Sequence, residues 1–363
     1  LDQRKKFAGW ALSSENQGRI KTTLEAAQSL PSMATTISQW DSDPDLLATP
    51  DGATVNLAEG CARLPKQSDY LSLAAGVAYD PTADCPRWKQ FLHEVFNGDA
   101  ELIAYIQRAA GYSLTGHTHE QKLFVLHGGG ANGKSVFLDV LSWLAGDFHA
   151  AAGFSTFDAD QRGDGKNDDL AALRGKRLVT IIETDEDRRL AEARVKALTG
   201  QDAISARFLY GDYFTFRPCA KFWIAVNHRP TVTGTDFGIW RRLALVPFTQ
   251  TFTGDRLDPK LPAKLRGELA GVLTWAIEGA KAWHDHGLGG CAAVDSATEA
   301  YKTESDVIGQ WIDQRCNLGA TLKTEAGELY SSYRLWAEVN GMRAMTSTAW
   351  GRRMSERPGL EKH

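Results

Sequence analysis

The sequence lacks most of what would send a chain into a membrane, out of a cell or onto a metal ion. No apolar run approaches the about 20 residues that a membrane span requires. No apolar signal segment follows Leu1-Asp2-Gln3-Arg4-Lys5-Lys6, so nothing there marks the chain for export. An initiator Met is missing too, and the sequence reads as part of a longer protein. Cysteine is sparse: Cys61, Cys85, Cys219, Cys291 and Cys316 lie far apart without a C-x-x-C pair, which argues against a disulfide framework and favours a reduced cytosolic setting. His117-Thr118-His119 and His284-Asp285-His286 are the close His pairs. Neither has a Cys or carboxylate at ligand spacing, so both read as exposed loop or helix-end residues. A basic excess is also absent. The formal net charge is −4, so any nucleic-acid contact must come from local clusters, such as loops inside a ring.

What is present is an ordinary globular composition, 43% hydrophobic and 24% charged, over 363 residues, enough for two or three domains. One stretch organises it: Gly128-Gly129-Gly130-Ala131-Asn132-Gly133-Lys134-Ser135, which fits G-x-x-x-x-G-K-[ST]. The apolar run Lys122–His127 before it has strand length, and Val136, Phe137, Val140, Leu141 and Leu144 after it recur at helical spacing. Glycines let a backbone curl its N–H groups toward phosphate oxygens, and a helix starting at Lys134 adds the positive end of its dipole. In this pattern Lys134 reaches the β- and γ-phosphates of ATP, and the Ser135 hydroxyl ligates Mg²⁺.

Before this loop, residues 1 to about 35 read as helical, with Phe7, Trp10, Ile20, Leu24 and Ala27 on an apolar face interrupted near Ser13-Ser14. A turn-rich patch around Asp43-Pro44-Asp45 and Thr49-Pro50-Asp51-Gly52 suits short strands. Two helical stripes follow, Trp88, Phe91, Leu92, Val95, Phe96 and then Leu102, Ile103, Ile106, Ala109, Ala110. Beyond the loop's own helix, the Gly- and Asp-rich segment 158–167 reads as a mobile loop, suited in a ring to a subunit interface.

The strand Arg177–Glu183 ends in acid: Glu183, Asp185, Glu186 and Asp187. Beside a phosphate loop this is the place for a Mg²⁺-linked acid and a water-activating base. Glu183, at the strand end itself, is the first candidate for both, with Asp185 and Glu186 able to share the role. The alternative is a solvated acidic loop with Arg188 and Arg189 as partners. Two strands, Ile204–Leu209 and Tyr213–Arg217, flank Tyr210-Gly211-Asp212, and a third, Lys221–Val226, ends on Asn227, placed to orient water or sense a γ-phosphate. After Thr235-Asp236, the pair Arg241-Arg242 offers an arginine finger to a neighbouring subunit, or surface salt bridges.

Assembled, these residues resemble a superfamily 3 helicase of the phage/plasmid primase-helicase group, related to the poxvirus primase-helicase. The order of motifs carries the resemblance: Gly128–Ser135, Glu183-Thr184-Asp185-Glu186, Lys196-Ala197-Leu198-Thr199-Gly200-Gln201-Asp202, Asn227-His228-Arg229-Pro230, and Trp240-Arg241-Arg242 with Asp236 before it. It extends upstream through Trp88, Gly98-Asp99 and Gly111–Gly116, and downstream through Glu268–Leu273 and Trp275-Ala276.

The resemblance implies an α/β fold with an AAA+-like P-loop ATPase core. The core at 119–255 would follow a mostly helical collar domain at 1–118. A helical region at 256–300 would pack on it, and a winged-helix-like segment at 301–363, cut short, would carry Trp350, Arg352 and Arg353 on a recognition helix. It implies a hexamer that hydrolyses ATP with Mg²⁺ between subunits and translocates on single-stranded or forked DNA at a replication fork in a bacterial host's cytoplasm. A channel hairpin would span Arg207 to Arg217, with Arg207, Arg217 or Lys221 meeting phosphate and Tyr210 stacking on a base or packing in the sheet. The tip carries Asp212 and no Lys, unlike the family pattern. A primase domain often precedes this region in the family; its carboxylate motifs are not visible here, so this chain alone is not expected to prime. Two other readings remain, a P-loop small-molecule kinase and a nucleotide-dependent DNA-binding scaffold without motor activity.

Overall fold

The computed structural model describes all residues except 1, 32, 159–165, 184, 186, 187, 209, 233–236, 320, 358 and 361–363. Two helices, α1 (Asp2–Ser14) and α2 (Gln17–Gln28), precede a small antiparallel sheet of β1 (Leu46–Ala48), β2 (Thr54–Asn56) and β3 (Cys61–Arg63). Helices α3 (Pro86–Val95) and α4 (Ala100–Leu114) lead into β4 (Leu123–His127), the glycine loop and α5 (Lys134–Ala145). Then come β5 (His149–Ala151), α6 (Lys166–Ala171), β6 (Leu178–Glu183) and α7 (Glu192–Thr199). A hairpin of β7 (Ile204–Ala206) and β8 (Phe214–Phe216) is followed by β9 (Lys221–Val226), α8 (Phe237–Trp240) and β10 (Leu243–Pro247). The rest is helical: α9 (Leu261–Arg266), α10 (Leu269–His286), α11 (Ala292–Ser305), α12 (Val307–Arg315), α13 (Ala326–Val339) and α14 (Ser347–Ser355).

The main sheet has five strands in the order β10-β4-β9-β6-β5, every pair parallel. Its strands are nearly continuous apolar runs because both faces are covered. Alternate residues feed two cores. Phe124, Leu126, Trp223, Ala225, Ala244 and Val246 point to a layer shared with α3, α4, α5 and α10. Leu123, Val125, Phe222, Ile224, Leu243 and Leu245 point to the opposite layer, with Leu198 of α7 and Ile239 of α8. The first layer runs unbroken from Leu47 to Val294, so no core boundary falls at residue 118, where the sequence suggested the end of a collar domain. Helices α4 and α10 meet backbone to backbone: a Cβ on Gly111 would stand 2.0 Å from the Ala280 nitrogen, and one on Gly279 would stand 2.1 Å from the Gln107 oxygen. The C-terminal helices carry a smaller core of their own around Trp311, Tyr333, Trp336 and Trp350, and the described residues after Pro247 contain no strand.

The amino ends of the parallel strands are sealed by buried cations. Arg177, just before β6, donates to the carbonyls of Leu46 at 3.0 Å, Leu114 at 2.9 Å and Asp43 at 3.2 Å. Lys221, first residue of β9, donates to the carbonyls of Thr115, His117 at 3.3 Å and Cys219 at 2.9 Å. These bonds tie the β1 segment and the end of α4 to the sheet. They also remove Lys221 from the DNA-contact candidates: it is 1% exposed and its donors are spent on backbone, while burial pulls its ammonium down to about 7.

Two further expectations are revised. The apolar stripe of α1 and α2 forms helices but buries nothing, with Phe7 and Trp10 69% and 61% exposed. His119 and His286 are exposed as anticipated, but His117 and His284 are half-buried and share a carboxylate, Asp45, brought from the start of β1.

Candidate active site

The carboxyl ends of β4, β9 and β6 lie in register, His127 opposite Val226 and Val226 opposite Glu183. Whatever follows each strand therefore gathers at one edge. There the glycine loop, the tip of β6 and Asn227 enclose a cavity of about 180 Å³ lined by Asn132, Lys134, Ser135, Glu183 and Asn227, among others.

The loop is shaped by its own contacts. Gly128 has no room for a side chain, since a Cβ there would sit 2.1 Å from the Phe248 carbonyl oxygen. At Gly129 and Gly130 a Cβ would meet nothing within 4 Å, so the loop's outer side is open. Gly133 (φ +89°) turns the chain into α5. Asn132 donates to the Gly129 carbonyl and holds the turn closed. Lys134 folds inward and is buried. Its ammonium donates to the Gly128 carbonyl at 2.7 Å, the Gly129 carbonyl at 3.1 Å, and the side-chain oxygens of Asn132 and Asn227, each at 3.1 Å. Burial lowers its pKa to about 8, because a desolvated ammonium is disfavoured. The Ser135 side chain is exposed at the start of α5.

Glu183 is well buried, with its side chain 11% exposed. One of its oxygens accepts from the Asp185 backbone N–H at 2.9 Å, and the other stands 3.4 Å from Arg188 Nε, an ion pair rather than a hydrogen bond. The same guanidinium donates to Asp158 at 3.1 Å and Asp185 at 2.6 Å. Glu183 thus lines the cavity while Arg188 pairs with it and with Asp158 and Asp185. Asp185 is exposed and paired with Arg188. Glu186, also proposed as catalytic, and Asp236 lie outside the described residues.

The paired arginines sit elsewhere. They precede β10, whose Leu243 is level with Leu123 at the amino end of β4, so a strand length on the order of 15 Å separates them from the glycine loop of their own chain. Arg241 is exposed and donates to Gln121 at 2.5 Å, whereas Arg242 is 9% exposed and donates to the Gly238 carbonyl.

The hairpin pairs Ile204 with Phe216 and Ala206 with Phe214. Arg207 and Tyr210 at its tip and Arg217 at its open end are exposed to solvent, Tyr210 98% exposed at φ +61°. Sequence reasoning missed two neighbours. Phe208 and Tyr213 are both more than half exposed, Phe208 stacked on Phe214 and Tyr213 beneath the Arg207 guanidinium. Their short spacing from Tyr210 was the available signal. It also missed His127 and Arg229. His127 is pushed down to about 4, chiefly by burial and then by the charges of Arg229 and Lys134. Arg229 lies over the Tyr301 ring, paired with Glu304.

With this geometry in place, comparison with known proteins is informative. The family described as D5 N terminal like matches residues 1–97, and a family of unknown function, DUF5906, matches residues 126–242. "Putative helicase L207/L206" of Acanthamoeba polyphaga mimivirus is 26% identical over 262 residues, 67% of this chain and 27% of the relative. "Putative helicase 022R" of Frog virus 3 is 24% identical over 69% of this chain and 28% of its own length. "Putative primase C962R" of African swine fever virus is 22% identical over 59% of this chain and 24% of its own. The chain thus spans about a quarter of the length of these relatives. The apo structure of the NrS-1 C terminal region shares the fold at a TM-score of 0.53 and 13% identity, over 86% of this chain and 69% of that one. The motif order, these family matches and the viral relatives together support assignment of the chain to the primase-helicase family, superfamily 3-like.

Proposed function

We propose that the chain is an ATP-hydrolysing motor module that assembles as a ring, hexameric in the family pattern, and moves on single-stranded DNA. One observation carries this reading: Lys134, Glu183 and Asn227 surround one cavity while Arg241 lies at the far end of the same sheet. A site that uses all four needs a second copy of the chain, oriented to bring its Arg241 to the first copy's cavity.

The residues fit a nucleotide with its cation. The open face at Gly129 and Gly130 leaves space for phosphates beside the N-terminus of α5. Ser135 and Glu183 line the same cavity and would hold Mg²⁺ between them. A magnesium ion bound there would neutralise charge on the β- and γ-phosphates.

Lys134 exchanges its four oxygen acceptors for phosphate oxygens, a swap between partners of one type that asks for little rearrangement beyond the side chain. Losing Lys134 frees the Asn227 amide, which then orients the attacking water. Glu183 takes that water's proton. For this its carboxylate must turn from Arg188, which otherwise holds one of its oxygens in an ion pair. Arg241 of the next copy stabilises the charge that builds on the transferred phosphoryl group. The hairpin tip, with Tyr210 exposed beside Arg207, supplies a stacking surface and a charge for a single strand, and Arg217 at the hairpin's open end supplies a second charge.

Mixing two inactive variants tests the shared site. Lys134→Ala and Arg241→Ala should each lose DNA-stimulated ATPase activity, and an equimolar mixture should regain part of it, because some interfaces then combine both intact residues. If each variant is inactive and the mixture stays inactive while co-assembling, the shared site is wrong. If Lys134→Ala hydrolyses normally, the nucleotide assignment itself fails.

A further inference from the structure

We propose that Asp45, His117 and His284 form a site for a divalent transition-metal ion of the Zn²⁺ class. It lies at the amino end of the main sheet, away from the glycine loop, and does not rest on the motor reading.

The three residues come from separate segments: Asp45 just before β1, His117 in the connection from α4 to β4, and His284 in the last turn of α10. Both imidazoles aim Nε2 at one atom, Asp45 Oδ1, from 3.0 Å for His117 and 2.8 Å for His284. The three donor atoms all lie within 4.8 Å of one another. The two rings meet nearly at right angles, 83°, with centroids 5.6 Å apart, so they approach the common point from different directions instead of stacking.

The dimensions suit a small cation. Zn²⁺ takes imidazole nitrogen at about 2.0–2.1 Å and carboxylate oxygen at about 2.0–2.2 Å, which puts tetrahedral ligands about 3.3 Å apart. The nitrogen-to-oxygen separations here need to widen by only a few tenths of an ångström (about 0.3–0.5 Å) to admit the ion. Two imidazoles with one carboxylate also match the chemistry such ions prefer over Mg²⁺, which favours oxygen ligands. Each side chain keeps between 21% and 28% of its surface exposed, leaving an approach for the ion and a position for a water ligand.

The framework is already fixed. Gly116 N–H donates to the Pro44 carbonyl at 2.8 Å, binding the two loops that carry Asp45 and His117. Lys221 donates to the His117 carbonyl and Arg177 to the Asp43 carbonyl. Trp283 backs both imidazoles, its ring 5.5 Å from His117 and 4.6 Å from His284. Little ordering therefore remains for the ion to impose. Once bound, it links the β1 segment, the strand that feeds the glycine loop and the long helix α10 at one point.

The test is a Co²⁺ titration of the whole chain after EDTA treatment and desalting, followed through the visible d–d absorption. Expected is a band that saturates at one equivalent, is displaced by Zn²⁺ and survives excess Mg²⁺. Asp45→Asn and His284→Gln, each checked for native circular dichroism, should weaken Co²⁺ binding beyond the about 10–100-fold loss that even an outer-shell change causes. Glu183→Gln should keep the band. No saturable band in the wild type means the cluster is hydrogen-bonded only and overturns the site. A band that persists in a folded Asp45→Asn or His284→Gln chain, or disappears in Glu183→Gln, overturns it equally. Should either ligand variant fail to fold, the wild-type and Glu183→Gln titrations still decide.

Discussion

The two ends of the parallel sheet each bury a lysine, and the pair shows how differently one residue type can be held. Lys134 at the carboxyl end and Lys221 at the amino end both donate to oxygens of the protein itself. Around Lys134 the acceptors belong to an open glycine loop and two asparagine side chains, with a cavity alongside. Around Lys221 they are backbone carbonyls held by neighbouring strands and helices, and the nitrogen has nowhere to go. The difference lies in whether the acceptors can be exchanged for those of a ligand.

Paired substitutions put that contrast at risk. Lys134→Ala should lower DNA-stimulated ATPase activity by about 10²–10³-fold, the scale of removing a charge-stabilising donor from a reacting site. Its melting temperature should change little, because the loop oxygens it leaves can reach water. Lys221→Met should behave in the opposite way. Its three carbonyl acceptors are left dry, at about 1–3 kcal/mol each, so urea unfolding should show a loss of several kcal/mol. The protein that remains folded should hydrolyse ATP normally. Equal stability losses in the two variants would erase the distinction.

A smaller effect is expected at the hairpin, where the side chains proposed to meet DNA are exposed rather than buried. Tyr210→Ala should weaken single-stranded DNA binding by about 1–3 kcal/mol, the range for one base stacked on an aromatic ring. ATPase activity without DNA should be unchanged. Fluorescence anisotropy with a labelled oligonucleotide reads the first and phosphate release the second. An unaltered affinity would leave Phe208 and Tyr213 as the stacking surface and remove Tyr210 from it.

What was legible in the sequence follows the same division. The glycine loop, the strands on either side and Asn227 at a strand tip are contiguous patterns, and each was readable where it stands. The hairpin was readable because two short β-prone runs flank a turn. Lys221 was not: a lysine opening a strand looks like a surface charge, since lysine is seldom fully buried unless paired. Its partners Thr115 and His117 lie more than a hundred residues earlier, and only the fold brings their carbonyls beneath it. Asp45, 72 residues from His117 and 239 from His284, escaped for the same reason. The stripe on α1 and α2 fails in the other direction. Periodicity specifies a helix with an apolar face, but it does not say what the face touches, and here no residue of either helix is buried.

The mildest test reads the charge balance at the carboxyl end. His127 ends β4 among Arg229, Lys134 and His228, with Glu304 opposing them, and burial together with those charges lowers its pKa from 6.5 to about 4. The unfolded chain therefore takes up a proton near pH 6.5 that the folded chain refuses until about pH 4, so stability falls as the pH drops through that window. His127→Gln removes the titrating group, and the loss of urea stability between about pH 7.5 and about pH 5 should be shallower in the variant than in the wild type. An anion on the glycine loop should act in the same sense: by offsetting Lys134 and Arg229 it lets His127 accept its proton in the folded state, and the wild-type slope should flatten when inorganic triphosphate is added. Identical slopes in the variant and the wild type would mean that the positive charge gathered at this end is already balanced within the chain and is not waiting for a ligand.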